Sequence, residues 1–239
     1  MRRMGISIFA ALTLSLVSVP PPSEAQSPAT PQTRSPQRPT TTPVQDLPNW
    51  GREVWERLAP VAAQAGLRPT PRVLVTPKPY PGAWYHGSWI EVSEGMLQLL
   101  DGDGGEMAFV VAHESGHGLQ RQNPAGTLVL HDLLQRLYYV RNPLRKRGEV
   151  TPKETETLAD LWGFCLMAAA GYNFTRAYAF FGRLQGLSGT AWDRWGQGQG
   201  LAKEAKIWKD VHAGDAHRIS YLHRAAEHGL PQQCAKARR

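Results

Sequence analysis

The stretch His113-Glu114-Ser115-Gly116-His117 constrains this chain more than any other. It follows the unbroken apolar run Met107-Ala-Phe-Val-Val-Ala112, so the helix that carries it belongs in a core. Four residues turn an α-helix through about 400°. His113 and His117 therefore share one face, one turn apart, and two imidazoles so placed can bind one zinc ion. Glu114 lies about 100° further round, beside a metal and not on it. There it can take a proton from a water and hand it to a leaving amine. Two surface histidines on an ordinary helix are the plain alternative, and the apolar run argues against it.

A catalytic zinc takes three protein ligands and keeps one position open. The best third ligand is Glu156, in the segment Glu156-Thr-Leu-Ala-Asp160-Leu-Trp-Gly163. Asp160, one turn later, is a helix-interior carboxylate followed by apolar residues. It suits the task of accepting a hydrogen bond from the non-ligating nitrogen of a zinc histidine. A solvated acidic first turn favoured by the helix dipole accounts for Glu154 and not for Asp160. The expectation is one zinc per chain on His113, His117 and Glu156, with Asp160 behind them.

The surrounding pattern predicts a mostly helical α+β chain. Helical spacing runs from Trp50 to Ala65 and stops at Gly66. Arg72–Thr76 and Ser88–Ser93 read as strands, and Gly95–Leu100 as a short helix. Asp103-Gly-Gly-Glu106 has the spacing of a capping box and opens a helix to about Gln122, before Pro124. Thr127–Val140 is amphipathic. Thr151-Pro-Lys-Glu154 is a second capping box, with Pro152 at the favoured first position, and its helix ends near Gly171. Further helices are predicted over Asn173–Leu187 and Ala216–His228. The glycines between Gly182 and Gly200 mark a loop.

The ends speak to compartment. Arg2 and Arg3 precede an apolar run from Ile6 to Val19, then Ser23-Glu24-Ala25. This reads as a secretory signal peptide cut after Ala25; the run is short of the roughly 20 residues a membrane span needs. Residues 26–48 are rich in Pro, Ser, Thr and Gln and read as a disordered tether. The folded domain is expected over 49–230 and a basic tail over 231–239. An exported chain, periplasmic or secreted, is not an expected partner of nucleic acid. The formal charge of +7 permits anionic partners without naming one. The basic run Arg141–Arg147 reads as a solvated loop, or as a contact with anionic membrane lipid. No second apolar run approaches spanning length. Two cysteines exclude a disulfide scaffold or a four-cysteine metal site. Cys165 faces away from the zinc side of its helix. It is either bridged to Cys234 or a buried free thiol.

These segments together resemble the HtpX-like and CAAX-prenyl-protease-type zinc metallopeptidases, a gluzincin family. The resemblance rests on H-E-x-x-H followed by Glu156-Thr-Leu-Ala159-Asp160, on Ile90–Leu97, on Glu106–His113, and on Val211–Ile219. It implies a zincin-type domain with a small antiparallel-containing sheet and an active-site helix. It also implies an endopeptidase acting on polypeptides, among them unfolded or misassembled envelope proteins. Through Val211–Ile219 it adds His212 and Arg218 to the candidate catalytic residues. Ala213 stands where the family has Pro, and Gly82-Ala83 where it has Asn-Ala. The membrane helices of the family's membrane branches are missing, which points to a soluble exported branch. A non-proteolytic binding or chaperone-like protein on the same fold is the rival reading, and it would have no use for Glu114. His86 reads as a rim residue.

Overall fold

The computed structural model describes residues 45–138, 150–187 and 215–238. The proposed signal peptide, nearly all of the tether, Arg141–Arg147, the glycine-rich segment past 187 and His212 lie outside them. The elements are β1 (Gln45–Asp46), α1 (Asn49–Gln64), β2 (Arg72–Thr76), β3 (Ala83–Tyr85), β4 (Trp89–Ser93), α2 (Glu94–Leu100), α3 (Gly104–Gln122), α4 (Pro124–Tyr138), α5 (Pro152–Ala169), α6 (Arg176–Leu187), α7 (Asp215–Glu227) and α8 (Leu230–Ala237). The α+β, mostly helical expectation holds. None of the described helices is long and apolar enough to cross a membrane.

The sheet is mixed, in the order β1-β2-β4-β3. β2 and β4 are parallel, with Val73 opposite Ile90 and Val75 opposite Val92. These four residues are buried, so alternation fixes which face meets the helices. β3 is antiparallel to β4 and forms one edge. Ser93 ends β4 and caps α2, its hydroxyl accepting the Met96 N–H at 3.0 Å.

α3 runs through the centre. Asp103 caps it by accepting the N–H groups of Gly105 and Glu106, both at 2.9 Å. The reciprocal half of the expected capping box is absent. The buried Glu106 carboxylate turns to Arg183 at 2.9 Å instead, because a charge taken out of water needs a counter-charge. The Thr151 box is complete: Thr151 N–H donates to Glu154 at 2.7 Å and Glu154 N–H to Thr151 Oγ1 at 3.2 Å. Phe109 sits among Phe164, Phe180 and Phe181, with ring centroids 5.2 to 6.2 Å away. That cluster fastens α3 to α5 and α6.

α3 and α5 cross closely because both carry glycine at the contact. A Cβ on Gly116 would lie 2.7 Å from the Ala159 carbonyl oxygen. A Cβ on Gly163 would lie 3.2 Å from the His113 nitrogen. This approach sets the α5 carboxylates against the α3 histidines.

Two boundaries need correction. α4 begins at Pro124 and not at Thr127. Pro124 was expected only to follow the preceding helix, yet it opens the next one, where its missing N–H costs nothing, and Asn123 accepts the Gly126 N–H at 2.8 Å. The expected basic tail begins with a helix, α8, that buries Leu230, Cys234 and Ala237. Cys234 is joined to Cys165, with the Cα atoms 5.1 Å apart at a sequence separation of 69. Closing a loop of that length removes unfolded-state entropy worth about 4 kcal/mol in a chain-entropy account.

Candidate metal centre

The middle of α3 and the first half of α5 present their polar side chains to one another. His113, Glu114, Glu156 and Asp160 are all buried. The imidazoles of His113 and His117 are 4.9 Å apart at 89°. Nε2 of His113 lies 3.4 Å from Glu156 Oε2, and Nε2 of His117 lies 3.6 Å from Glu156 Oε1. Zinc–nitrogen and zinc–oxygen bonds of about 2.0–2.1 Å at a tetrahedral angle place neighbouring ligand atoms about 3.3 Å apart. The donor set and its spacing therefore fit a zinc ion. Glu114 also comes close, since its carboxylate and the two imidazoles offer atoms all within 4.8 Å of one another. Glu156 reaches both imidazoles as well, with one carboxylate oxygen toward each Nε2, and could serve as the third ligand.

Behind the histidines a second layer fixes the ring. Nδ1 of His113 donates to Asp160 Oδ1 at 2.8 Å. An ionised carboxylate only accepts, so the proton belongs on Nδ1 and Nε2 keeps its lone pair for a metal. Arg218 Nε donates to Asp160 Oδ2 at 2.8 Å and its terminal nitrogen to Oδ1 at 2.5 Å. The guanidinium also lies 4.5 Å over the Phe181 ring. Burial would raise the Asp160 pKa, but Arg218 and His113 hold it below the ordinary carboxylate value.

The same charges act on the ligands. Burial would lower the His113 pKa. The hydrogen bonds to Asp160 and Glu156 outweigh that and push it up to about 10. The pocket thus favours a positive charge at His113, whether a proton or a metal ion. Burial raises Glu114 to about 7; His113 opposes this, Glu156 reinforces it, and the Tyr85 backbone N–H opposes it by hydrogen bonding. A carboxyl poised near 7 suits proton transfer at neutral pH.

The structure brings together His113, Glu114, His117, Glu156, Asp160 and Arg218. Arg218 sits behind His113, where its guanidinium holds Asp160. His86 lies apart, 3.2 Å from Glu91 and stacked on Trp89. Sequence reasoning missed Tyr85, whose backbone reaches Glu114 from β3. It also missed Gly116 and Gly163. Small residues at facing positions of two apolar helices were the available signal.

Residues 48–147 match the family model for peptidase family M48. Over 79 residues the chain is 34% identical to "Protease HtpX homolog 1" of Sulfurisphaera tokodaii, a stretch covering 31% of this chain and 24% of that protein. The chain thus aligns with about a quarter of that relative's length. The matched segment includes the histidine helix, and the ligand geometry continues onto α5. Over residues 48–147 the chain is similar to peptidase family M48, and through this relative to its HtpX-like members.

Proposed function

We propose that this chain is an exported zinc endopeptidase. The observation that carries the reading is the placement of one carboxylate, Glu156, against Nε2 of both His113 and His117, with Glu114 alongside. His113, His117 and Glu156 would hold the ion, one per chain. Zinc bound there supplies a Lewis acid that polarises a carbonyl and acidifies a water. Glu114 takes the proton from the attacking water and delivers it to the departing amine. Asp160 keeps the His113 ring in one tautomer, and Arg218 holds Asp160 still. His212 is carried into the site by family resemblance alone.

β3 supports a polypeptide substrate. It is a sheet edge, and its backbone faces Glu114 at Tyr85. An extended segment pairing with that edge would be read mainly through its main chain. Such recognition suits unfolded envelope proteins of varied sequence. Export is supported by the Cys165–Cys234 bridge, since disulfides persist in oxidising compartments, and by the amino-terminal segment ending at Ala25. We further propose that residues 26–48 act as a tether.

The test is zinc content together with casein degradation. The wild type should carry one zinc and degrade casein, and Glu114→Gln should keep the zinc and lose the degradation. A wild type that binds zinc without degrading casein would favour the non-proteolytic reading, and a Glu114→Gln chain as active as wild type would contradict the role given to Glu114.

A further inference from the structure

Cys165 lies on α5, the helix that also carries Glu156 and Asp160. Its partner Cys234 lies on α8. α8 follows α7 through Gly229, which takes the left-handed conformation at φ 91° and lets the chain reverse. α7 carries Arg218, and Arg218 grips Asp160. Arg218 is sixteen residues before Cys234 and fifty-three after Cys165. The disulfide is therefore the shortest covalent route from Arg218 to the helix whose carboxylate it holds.

α8 is anchored at its far end as well. Asn123 Nδ2 donates to the Ala237 carbonyl at 2.9 Å and to the Ala65 carbonyl at 2.9 Å. A Cβ on Gly126 would lie 2.2 Å from the Ala237 oxygen. With Cys234 tied to α5 and Ala237 tied to the start of α4, α8 is a fixed strut at the carboxyl end of α7, which also packs on α6 through the stacked rings of Tyr178 and His223. The cysteines are buried, so a reductant does not reach the bridge in the folded chain. It is made as the chain folds and then kept.

We propose that the Cys165–Cys234 disulfide is the latch of the metal site: it holds α7 where Arg218 can grip Asp160, so that the site reaches full zinc affinity only after the two thiols are oxidised. The inference rests on the zinc reading above. In the oxidation, the Cys165 and Cys234 thiols give up two protons and two electrons. A disulfide donor accepts them through a mixed disulfide and leaves as a dithiol. Without the bridge α7 spends part of its time off α5. Asp160 then lacks its counter-charge and its fixed orientation, and the His113 ring loses its support. Thiol oxidation by such a donor is the reaction that must precede activity, and a chain still in a reducing compartment stays a weak metal binder.

The test uses the full chain with Cys165→Ala and Cys234→Ala, alone and combined with Arg218→Met. Hydrogen exchange on chelator-treated protein should show α7 amides losing protection severalfold while the α3 amides keep theirs. Zinc affinity, measured by competition with a chelator, should fall about tenfold, as expected if only about a tenth of the molecules are latched. In the Arg218→Met background, removing the cysteines should cost no further affinity. Cys165→Val with Cys234→Ala refills the core and gives the same reading if the alanine pair loses its fold. Unchanged α7 exchange, or an equal affinity loss with and without Arg218, overturns the latch. A wild type that binds no zinc overturns the metal reading instead, and the exchange data still decide the latch.

Discussion

Nδ1 of His113 donates a hydrogen bond to Asp160 at 2.8 Å, and this contact selects the nitrogen that faces the candidate metal. Asp160 can do so while buried because Arg218 supplies the opposite charge in a two-nitrogen grip. Replacing Asp160 by Asn keeps the shape and removes the charge that both neighbours need. Zinc affinity should fall about 10- to 100-fold, the usual cost of losing a partner behind a metal ligand. Chelator competition on the purified variant checks this, and wild-type affinity would contradict it.

The glycine crossing should be equally sensitive. In Gly116→Ala the new methyl meets the Ala159 carbonyl, so α3 and α5 must move apart. Overpacking of this kind costs about 1–3 kcal/mol, and Glu156 moves away from the histidines with α5. Zinc affinity and melting temperature should both drop. Gly182→Ala on α6 is the control. Nothing lies within 4 Å of its Cβ position, and alanine in a helix should stabilise by roughly 0.5–1 kcal/mol.

Much of this site was legible because its signals are local. The two histidines, the Thr151 capping box and the spacing from Glu156 to Asp160 lie within single helices, where periodicity fixes direction. What could not be read came from elsewhere in the chain. β3 has only three residues between Gly82 and His86, too few for alternation to register, and only pairing with β4 makes it a strand. α8 shows Leu230, Cys234 and Ala237 at helical spacing, but its basic composition and Pro231 resembled a tail. Glu106 fits a capping box by sequence and is claimed by Arg183, 77 positions further along the chain.

Zinc and a proton compete for His113. Its pKa in the fold, about 10, is raised above that of an unfolded imidazole. The protonated ring therefore stabilises the metal-free fold fully below about pH 6.5, and that contribution is lost as the pH rises through about 10. Zinc affinity should accordingly increase about tenfold per pH unit from about pH 7 to 9. The melting temperature of chelator-treated protein should fall over the same range. A flat affinity profile would show that no proton is displaced.

Export makes a prediction in mass. The mature protein should begin at Gln26, and denatured, unreduced material from the oxidising compartment should contain no free thiol. A chain that retains Met1 and stays with the membrane fraction would contradict the export proposal.

Glu114→Gln addresses the central claim most directly, with zinc stoichiometry and casein degradation measured on the same preparation. The amide retains the shape of Glu114 and removes its ability to carry a proton, while His113, His117 and Glu156 are untouched. One zinc per chain with degradation reduced about 10²- to 10⁴-fold is the expected result, the usual contribution of proton transfer by a positioned side chain. Degradation at the wild-type rate with zinc bound would contradict the account.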